Sequence, residues 1–159
     1  MQNDEYRWVT KPTLDAIDKL LIRELQIDGR KPYTQLAKVA GLSEAAIRQR
    51  VQRLIDGQVM QVVAVTDPLS LGLRRAAMIG IRVEGDLRTA ARKLAEYEEV
   101  VYVVLTAGTV DILAEVVVED DEALLELLND RIRTIPGVVG TETSMYLSIE
   151  KQTYQWGAK

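Results

Sequence analysis

The sequence predicts an α+β protein in two parts, with three helices first and a βαββαβ arrangement after them. Three helix-like runs precede residue 57, and strand-like and helix-like runs alternate from residue 77 onward. The charge follows the same division. Residues 1–63 hold 10 Lys and Arg against 8 Asp and Glu, a net charge of +2, whereas residues 64–159 hold 10 against 16, a net charge of −6. A basic part joined to an acidic part indicates two separate tasks.

The composition excludes several classes of chemistry. The 159 residues, 47% of them apolar, suffice for one medium domain or two small ones. They include no cysteine and no histidine, which excludes disulfides, thiolate chemistry, iron–sulfur ligation and the common zinc sites. Catalysis by carboxylates or lysine stays open, but the side chain most used for acid–base work near neutral pH is absent. We therefore expect a protein that is not an enzyme, with no catalytic residues, metal site or cofactor.

The hydropathy pattern favours a cytoplasmic protein. No apolar run approaches the length of a membrane span. The start of the chain is polar and mixed in charge, and it lacks the apolar core of a signal peptide. We therefore expect no membrane partner.

Two helices fit the first forty residues. Apolar residues repeat at three- and four-residue steps over 14–25, where Thr13 can cap the start and Gly29 can stop the end. A short second helix fits Tyr33–Ala40, and Gly41 then breaks it.

A third helix and a short β segment complete the first part. Ser43 is a natural N-cap, Glu44 suits the positive end of a helix, and Gly57 closes it. Residues 58–65 then favour a β strand. Three helices, with a tight glycine-containing turn between the second and third and a strand after them, predict a winged helix-turn-helix over 1–65.

The third helix carries the candidate DNA-binding residues. On a helical wheel of about 100° per residue, its apolar side chains share one side: Ile47, Val51, Leu54 and Ile55. Small, amide and cationic side chains lie opposite or on the flanks, while Arg50 lies nearer the apolar edge and is expected to be structural. We call the outward set, with the N-cap residue, the recognition face: Ser43, Ala45, Arg48, Gln49, Gln52 and Arg53.

The recognition face has chemistry that suits a major groove. Glutamine can pair with adenine, arginine with guanine or phosphate, and alanine allows close approach of the helix. The alternative is an ordinary solvated helix face, which a short motif alone does not exclude. The three-helix context favours the DNA-binding interpretation over the solvated face.

The second part has the order βαββαβ. We expect strands at 77–83, 100–106, 112–118 and 138–149, and helices at 87–95 and 121–133. The linker TDPLSLG, residues 66–72, precedes it, so the second domain spans 73–159. This order predicts a ferredoxin-like domain with helices on one face of its sheet. The apolar runs VVYVV and EVVV on the strands lead us to expect a second copy on the other face.

A loop between two strands is the candidate effector site. The segment AGTVD, residues 107–111 and hereafter the effector loop, offers backbone N–H groups at Gly108, the hydroxyl of Thr109 and the carboxylate of Asp111. Such groups could bind the two charged ends of an α-amino acid, although an ordinary β-turn would use the same residues. Thr141 and Thr143 are weaker candidates for the same pocket.

The acidic run EDDE, residues 119–122, has two readings. It could bind a divalent cation, but it also begins a predicted helix, where acids complement the dipole. We favour the helix start.

Several segments together resemble the Lrp/AsnC family of transcription regulators. They are LDAIDKLLIRELQIDGR, QLAKVAGLSEAAIRQRVQRL, DPLSLG, TAGTVDIL and IPGVVGTETSMYL, which span about residues 14–150. The resemblance implies an N-terminal DNA-binding domain. It also implies a C-terminal ferredoxin-like domain that dimerises, assembles further, for example to an octamer, and binds an amino acid or related metabolite between such domains.

Three positions depart from the family pattern. Pro32 stands where Ser or Thr is common, so a different cap is expected for the second helix. The wing segment GQVMQVV lacks the usual aromatic residue, and Val110 and Ile112 flank Asp111 where an aromatic residue often stands.

These observations predict a homo-oligomeric regulator that binds double-stranded DNA at a pseudo-palindromic operator and responds to a small effector. The alternative is a metabolite-binding or enzymatic ferredoxin-like protein without DNA binding.

Overall fold

The computed structural model describes residues 13–153, so residues 1–12 at the start of the predicted first domain and residues 154–159 at the end of the second lie outside the described residues. The described residues form two compact units, one of 13–64 together with 151–153 and one of 65–150. The first unit contains α1 (Ala16–Ile27), α2 (Tyr33–Ala40) and α3 (Glu44–Asp56). The second contains β1 (Arg75–Val83), α4 (Leu87–Leu94), β2 (Val100–Leu105), β3 (Ile112–Val118), α5 (Asp121–Glu126) and β4 (Val138–Met145).

The first helix begins at a cap that differs from the expected one. Asp15, not Thr13, is the N-cap, and its Oδ1 accepts the backbone N–H of Asp18 at 2.7 Å. The carboxylate of Asp18 accepts the N–H of Asp15 in return, which completes a capping box. An aspartate within reach of the free N–H groups at N3 is a better cap than a threonine two residues earlier.

The turn between α2 and α3 has the predicted form. Gly41 adopts a left-handed φ of 68°, which a glycine reaches without steric cost, and Ser43 Oγ accepts the N–H of Ala46 at 3.2 Å. Pro32 makes no side-chain cap at the start of α2; its carbonyl oxygen accepts N–H groups of the first turn instead. The helix-turn-helix is therefore confirmed, including the altered cap.

The strand expected after α3 is wrong. Within the described chain, residues 58–65 form no strand, and Val62, Val63 and Val65 remain 50%, 66% and 61% exposed. Valine favours a strand only when a neighbouring strand completes the hydrogen-bond ladder, and no such neighbour is paired with this segment. Over its residues 13–64 and 151–153, the first unit is thus a helix-turn-helix without a wing hairpin.

The second unit is a four-stranded antiparallel sheet in the order β2-β3-β1-β4. Together with α4 and α5 it gives the predicted βαββαβ ferredoxin-like fold. The central strand β1 pairs Ile81 with Ile112 of β3 on one side and with Thr141 of β4 on the other. Ile79, Ile81, Ile112 and Ala114 are fully buried in one core that includes residues of both helices.

Two element boundaries differ from the prediction. Strand β4 ends at Met145 rather than near residue 149, because its partner strand β1 begins only at Arg75. The hydrogen bond from Tyr146 N–H to Ala76 O lies at the end of this pairing. The helix expected to continue to residue 133 changes at Leu127 into a π-helical turn. A π turn bonds residues five apart, so Leu127 and Ile132 can both be buried in the core.

The sheet face without helices keeps an apolar character. Val101 and Tyr102 on β2 are 59% and 52% exposed, and Met78, Leu113 and Val117 are half-buried there. A face of this kind on a small domain is a common site of association. Its cover by a second copy remains a prediction.

Candidate nucleic-acid interface and effector loop

The recognition face on α3 is exposed along its whole length. Its six residues are all solvent-exposed, while Ile47, Val51 and Leu54 on the opposite side are at most 2% exposed. The helical wheel therefore assigned the two sides of α3 as the structure has them. No described part of its unit is packed over the recognition face, so a partner can reach it there.

Arg48 is held by two neighbours. Its guanidinium carbon lies 4.9 Å from the centre of the Tyr33 ring, and its Nη2 bonds to Glu44 Oε1 at 3.2 Å. The side chain is still 64% exposed. Tyr33 is a residue that sequence reasoning missed, because only the folded turn brings the start of α2 beside α3. Arg48 is thus oriented while its outer side remains in solvent.

Gln52 and Asp56 form a second surface pair. The Nε2 atom of Gln52 donates to Asp56 Oδ1 at 2.8 Å, one helical turn further along α3. Both residues are exposed, so this bond competes with water and can be exchanged for a partner.

Arg50 has the structural role that was expected. Its Nη1 donates to Asp15 Oδ2 at 2.6 Å and to Asp18 Oδ1 at 2.9 Å. The hydrogen bond to Asp15, followed by that to Asp18, raises the pKa of Arg50. The backbone N–H of Asp18 and then the guanidinium of Arg50 lower the pKa of Asp15. These contacts attach α3 to the beginning of α1.

Arg53 belongs partly to the same cluster. Its Nη2 lies 2.7 Å and 2.8 Å from the two oxygens of Asp18, a residue that is only 1% exposed. The Arg53 side chain is 60% exposed. Sequence reasoning missed this pairing. Asp18 is the one carboxylate in the first turn of α1, but nothing in the local sequence shows that it faces α3.

The effector loop is closed by its own backbone and by Asp111. Thr106 N–H bonds to Asp111 O at 2.9 Å, and Thr106 Oγ1 donates to Val110 O at 2.6 Å. The Asp111 carboxylate turns inward, where Oδ2 accepts the N–H of Val83 at 2.8 Å. Asp111 is thus a structural staple between the loop and β1. Gly108 and Thr109 are exposed, and Gly108 does not use a left-handed backbone.

The two predicted parts of the effector pocket lie on opposite faces of the sheet. Thr141 and Thr143 pair with Ile81 and Ile79, so they share the face that the helices cover. Val110 packs over Gly80 on the other face, where a Cβ on that glycine would lie 2.9 Å from Val110 Cγ1. Within one chain the threonines therefore do not join the loop, because strand register decides the face, and a shared pocket stays a prediction for the oligomer.

Models of two families match this chain. An AsnC-type helix-turn-helix domain matches residues 14–55, and an Lrp/AsnC ligand binding domain matches residues 76–156. Together they cover well over half of the sequence.

This chain belongs to the Lrp/AsnC family.

Curated and solved relatives agree with that assignment. The HTH-type transcriptional regulator FL11 of Pyrococcus horikoshii is 37% identical over 142 residues, which cover 88% of this chain and 93% of the relative. The structure of E. coli AsnC superposes with a TM-score of 0.80 at 27% identity, covering 89% of this chain and 97% of that one. A feast or famine regulatory protein from M. tuberculosis complexed with L-methionine superposes with a TM-score of 0.82 at 34% identity, covering 90% and 98%.

The chain is therefore a helix-turn-helix transcription regulator of the Lrp/AsnC type. Its second unit corresponds to the family's ligand-binding domain.

The acidic run of this Lrp/AsnC regulator serves the start of α5. Asp120 accepts the N–H of Ala123 at 2.9 Å as the N-cap, and Asp121 pairs with Arg75. Over residues 13–153, no three carboxylates are grouped so that they could hold a metal ion. In the same range, no helix is long and apolar enough to cross a membrane.

Proposed function

We propose that this Lrp/AsnC regulator places α3 in the major groove of a pseudo-palindromic operator and reads it with the recognition face. The observation that carries the proposal is the full exposure of that face on a helix whose other side is buried. An α-helix with small and amide side chains outward fits a groove about 12 Å wide. As an oligomer, the protein would present two such helices to half-sites about one helical turn, or a multiple of it, apart.

Each part of the recognition face has a distinct task in this proposal. Ser43 and Ala45 lie at the N-terminal end of α3, where a small residue permits close approach to the bases. Gln49 and Gln52 offer amides that can pair with adenine, for about 1–3 kcal/mol of discrimination per good pair. Arg48 is aimed by the Tyr33 ring at a guanine or a phosphate, and Arg53 contacts the phosphate backbone.

The effector is proposed to be an amino acid bound against the effector loop. Gly108 and Thr109 are exposed and can donate an N–H and a hydroxyl to its carboxylate. Asp111 Oδ2 is engaged by Val83, so only the remaining carboxylate capacity of Asp111 can accept from an ammonium. Two similar solved proteins are complexes with L-methionine, one from M. tuberculosis and one from Neisseria meningitidis. These complexes support an amino acid of this kind for the present chain.

The oligomer completes the proposed site. A pocket that includes Thr141 and Thr143 as well as the effector loop needs two chains, because these residues lie on opposite faces of one sheet. The exposed apolar side of the sheet supports a homodimer, and further association of dimers, for example to an octamer, would place effector sites between domains. We place the protein in the cytoplasm, where operator DNA and free amino acids are both present.

A gel-shift experiment tests the DNA-binding proposal. Full-length protein and its Arg48→Ala/Gln52→Ala variant are titrated into duplex DNA enriched from a random pool by the unmodified protein. We expect the double variant to lose at least tenfold in affinity, as removal of a base contact and a cation requires. Arg88→Ala on the exposed surface of α4 removes the same charge and should bind as the unmodified protein does.

The alternative outcomes are decisive. Equal binding by the double variant and the unmodified protein would exclude the recognition face as the reader. Failure of the pool to enrich any sequence at low salt, with or without amino acids, would favour a metabolite-binding or enzymatic ferredoxin-like protein without DNA binding.

A further inference from the structure

Asp18 is the centre of a charged cluster that joins α1 to the recognition helix. We call it the anchor cluster: Asp15, Asp18, Arg50 and Arg53. Asp18 is 1% exposed, and its carboxylate accepts from Arg50 Nη1 at 2.9 Å and from Arg53 Nη2 at 2.7 Å and 2.8 Å. Its Oδ2 also accepts the backbone N–H of Asp15 at 3.3 Å. Both oxygens therefore have partners, as a buried carboxylate requires.

The two arginines of the anchor cluster differ in how much of their side chains is exposed to solvent. The Arg50 side chain is 26% exposed and is shared by two aspartates, so it joins α3 to the start of α1. The Arg53 side chain is 60% exposed although its Nη2 is bonded to Asp18. Arg53 is thus anchored at one nitrogen and still accessible at the surface of the recognition face.

We propose that Asp18 is a positioning residue for DNA recognition, which orients the guanidinium of Arg53 for one phosphate of the operator. The inference rests on the proposed function of α3. Asp18 itself contacts no DNA, because it is buried beneath the two arginines. Its effect passes through Arg53.

Anchoring one nitrogen changes how Arg53 binds. A guanidinium is planar, so fixing Nη2 also fixes the direction of its other N–H groups and reduces the side-chain freedom lost on binding. The negative charge of Asp18 also offsets a cation next to the DNA, which weakens attraction to the phosphates of operator and unrelated DNA alike. Asp18 raises the ratio of operator affinity to non-specific affinity through the orientation of Arg53, which suits the phosphate at the operator.

A double-mutant cycle tests this coupling in the full-length chain. Asp18→Asn, Arg53→Gln and the double variant are measured on the enriched duplex and on an unrelated duplex of equal length, over a range of salt concentrations. We expect Asp18→Asn to lower the affinity ratio about tenfold, as loss of one charge-assisted hydrogen bond would. On unrelated DNA, the affinity of Asp18→Asn should depend more steeply on salt concentration, by about the slope of one phosphate contact.

The cycle separates positioning from a purely structural role. In the Arg53→Gln background, Asp18→Asn should leave the affinity ratio unchanged, because the residue it positions is gone. An equal loss in both backgrounds would overturn the proposal.

Two further variants keep the test sharp. Asp28→Asn removes one negative charge from the exposed end of α1 and should keep the unmodified ratio; a loss equal to that of Asp18→Asn would overturn the proposal. Arg53→Lys keeps the positive charge and leaves the buried Asp18 unchanged. It can therefore test the proposal even if Asp18→Asn does not fold. A lysine lacks the planar fork, so we expect reduced operator binding with an unchanged salt slope, and full binding by this variant would overturn the proposal.

The proposed function can fail separately. If no sequence is enriched from the pool, operator recognition and the role of Asp18 both fall. If a sequence is enriched but the cycle shows no coupling, only the role of Asp18 falls.

Discussion

The recognition face and the effector loop hold their polar groups in opposite ways. On α3, Arg48 and Gln52 bond to acidic neighbours at the surface, where water already competes with those bonds. In the effector loop, the carboxylate of Asp111 turns inward to the N–H of Val83 and ties the loop to β1. Arg48 and Gln52 can exchange partners without disturbing the fold, whereas Asp111 cannot. We therefore expect the proposed effector to depend more on the loop backbone and on Thr109 than on Asp111.

The same difference separates residues that should affect DNA affinity from residues that should affect folding stability. Arg48 and Gln52, whose bonding partners are also exposed, should affect DNA affinity and leave folding nearly unchanged, since exposed pairs contribute little to stability. Groups that hold the effector loop should affect folding first. Three substitutions test this division.

Removal of the Asp111 carboxylate should have the largest effect. Asp111→Ala leaves the half-buried N–H of Val83 without its acceptor, so we expect a loss of about 1–3 kcal/mol in the free energy of unfolding. Chemical denaturation measures it. Asp111→Asn is the matched control, because its amide oxygen can still accept that N–H. Unchanged stability of Asp111→Ala would show that the carboxylate is not a staple and would restore it as a ligand group.

A methyl group beneath the effector loop should have a smaller effect. In Gly80→Ala the new Cβ would lie 2.9 Å from Val110 Cγ1, so the valine and its loop must move. We expect a loss of about 1–2 kcal/mol on thermal unfolding, together with a weaker thermal shift by L-methionine. Gly29→Ala lies outside the effector loop, meets its nearest atom, Val62 Cγ1, only at 3.5 Å, and serves as the control. A normal response to L-methionine in Gly80→Ala would remove the loop from the effector site.

Removal of the ring that aims Arg48 should have the smallest effect. Tyr33→Leu keeps an apolar side chain but abolishes the contact at 4.9 Å. An exposed cation–π contact contributes about 0.5–1 kcal/mol, so we expect operator affinity to fall about two- to fivefold. Fluorescence anisotropy measures it, and Arg48→Ala/Tyr33→Leu should bind no worse than Arg48→Ala. Equal binding by Tyr33→Leu and the unmodified protein would mean that Arg48 needs no aiming.

The predictable parts of the molecule are those governed by local repeats. The bounds of α2 and β3, the glycine turn at Gly41 and the buried side of α3 all follow from spacing of three, four or two residues. Arg50 could be set aside as structural for the same reason, because its angle on the wheel lies near the apolar edge.

The remaining features depend on contacts between distant segments. Strand register placed Thr141 and Thr143 on the face away from Val110, and no local pattern contains that information. Asp18 lies 35 residues before Arg53, and their pairing needs the packing of α1 on α3. The segment 58–65 has strand composition, but composition cannot supply a partner strand.

A change of base preference is the most direct test of the claim that α3 reads DNA with its outward side chains. A random duplex pool is enriched separately by the unmodified protein and by Gln49→Lys, and the two sets of sequences are compared. Lysine favours guanine where glutamine favours adenine. We predict that one position in each half-site changes from adenine to guanine while the rest of the site is retained. Enrichment of the same site by both proteins would contradict the contact of Gln49 with a base.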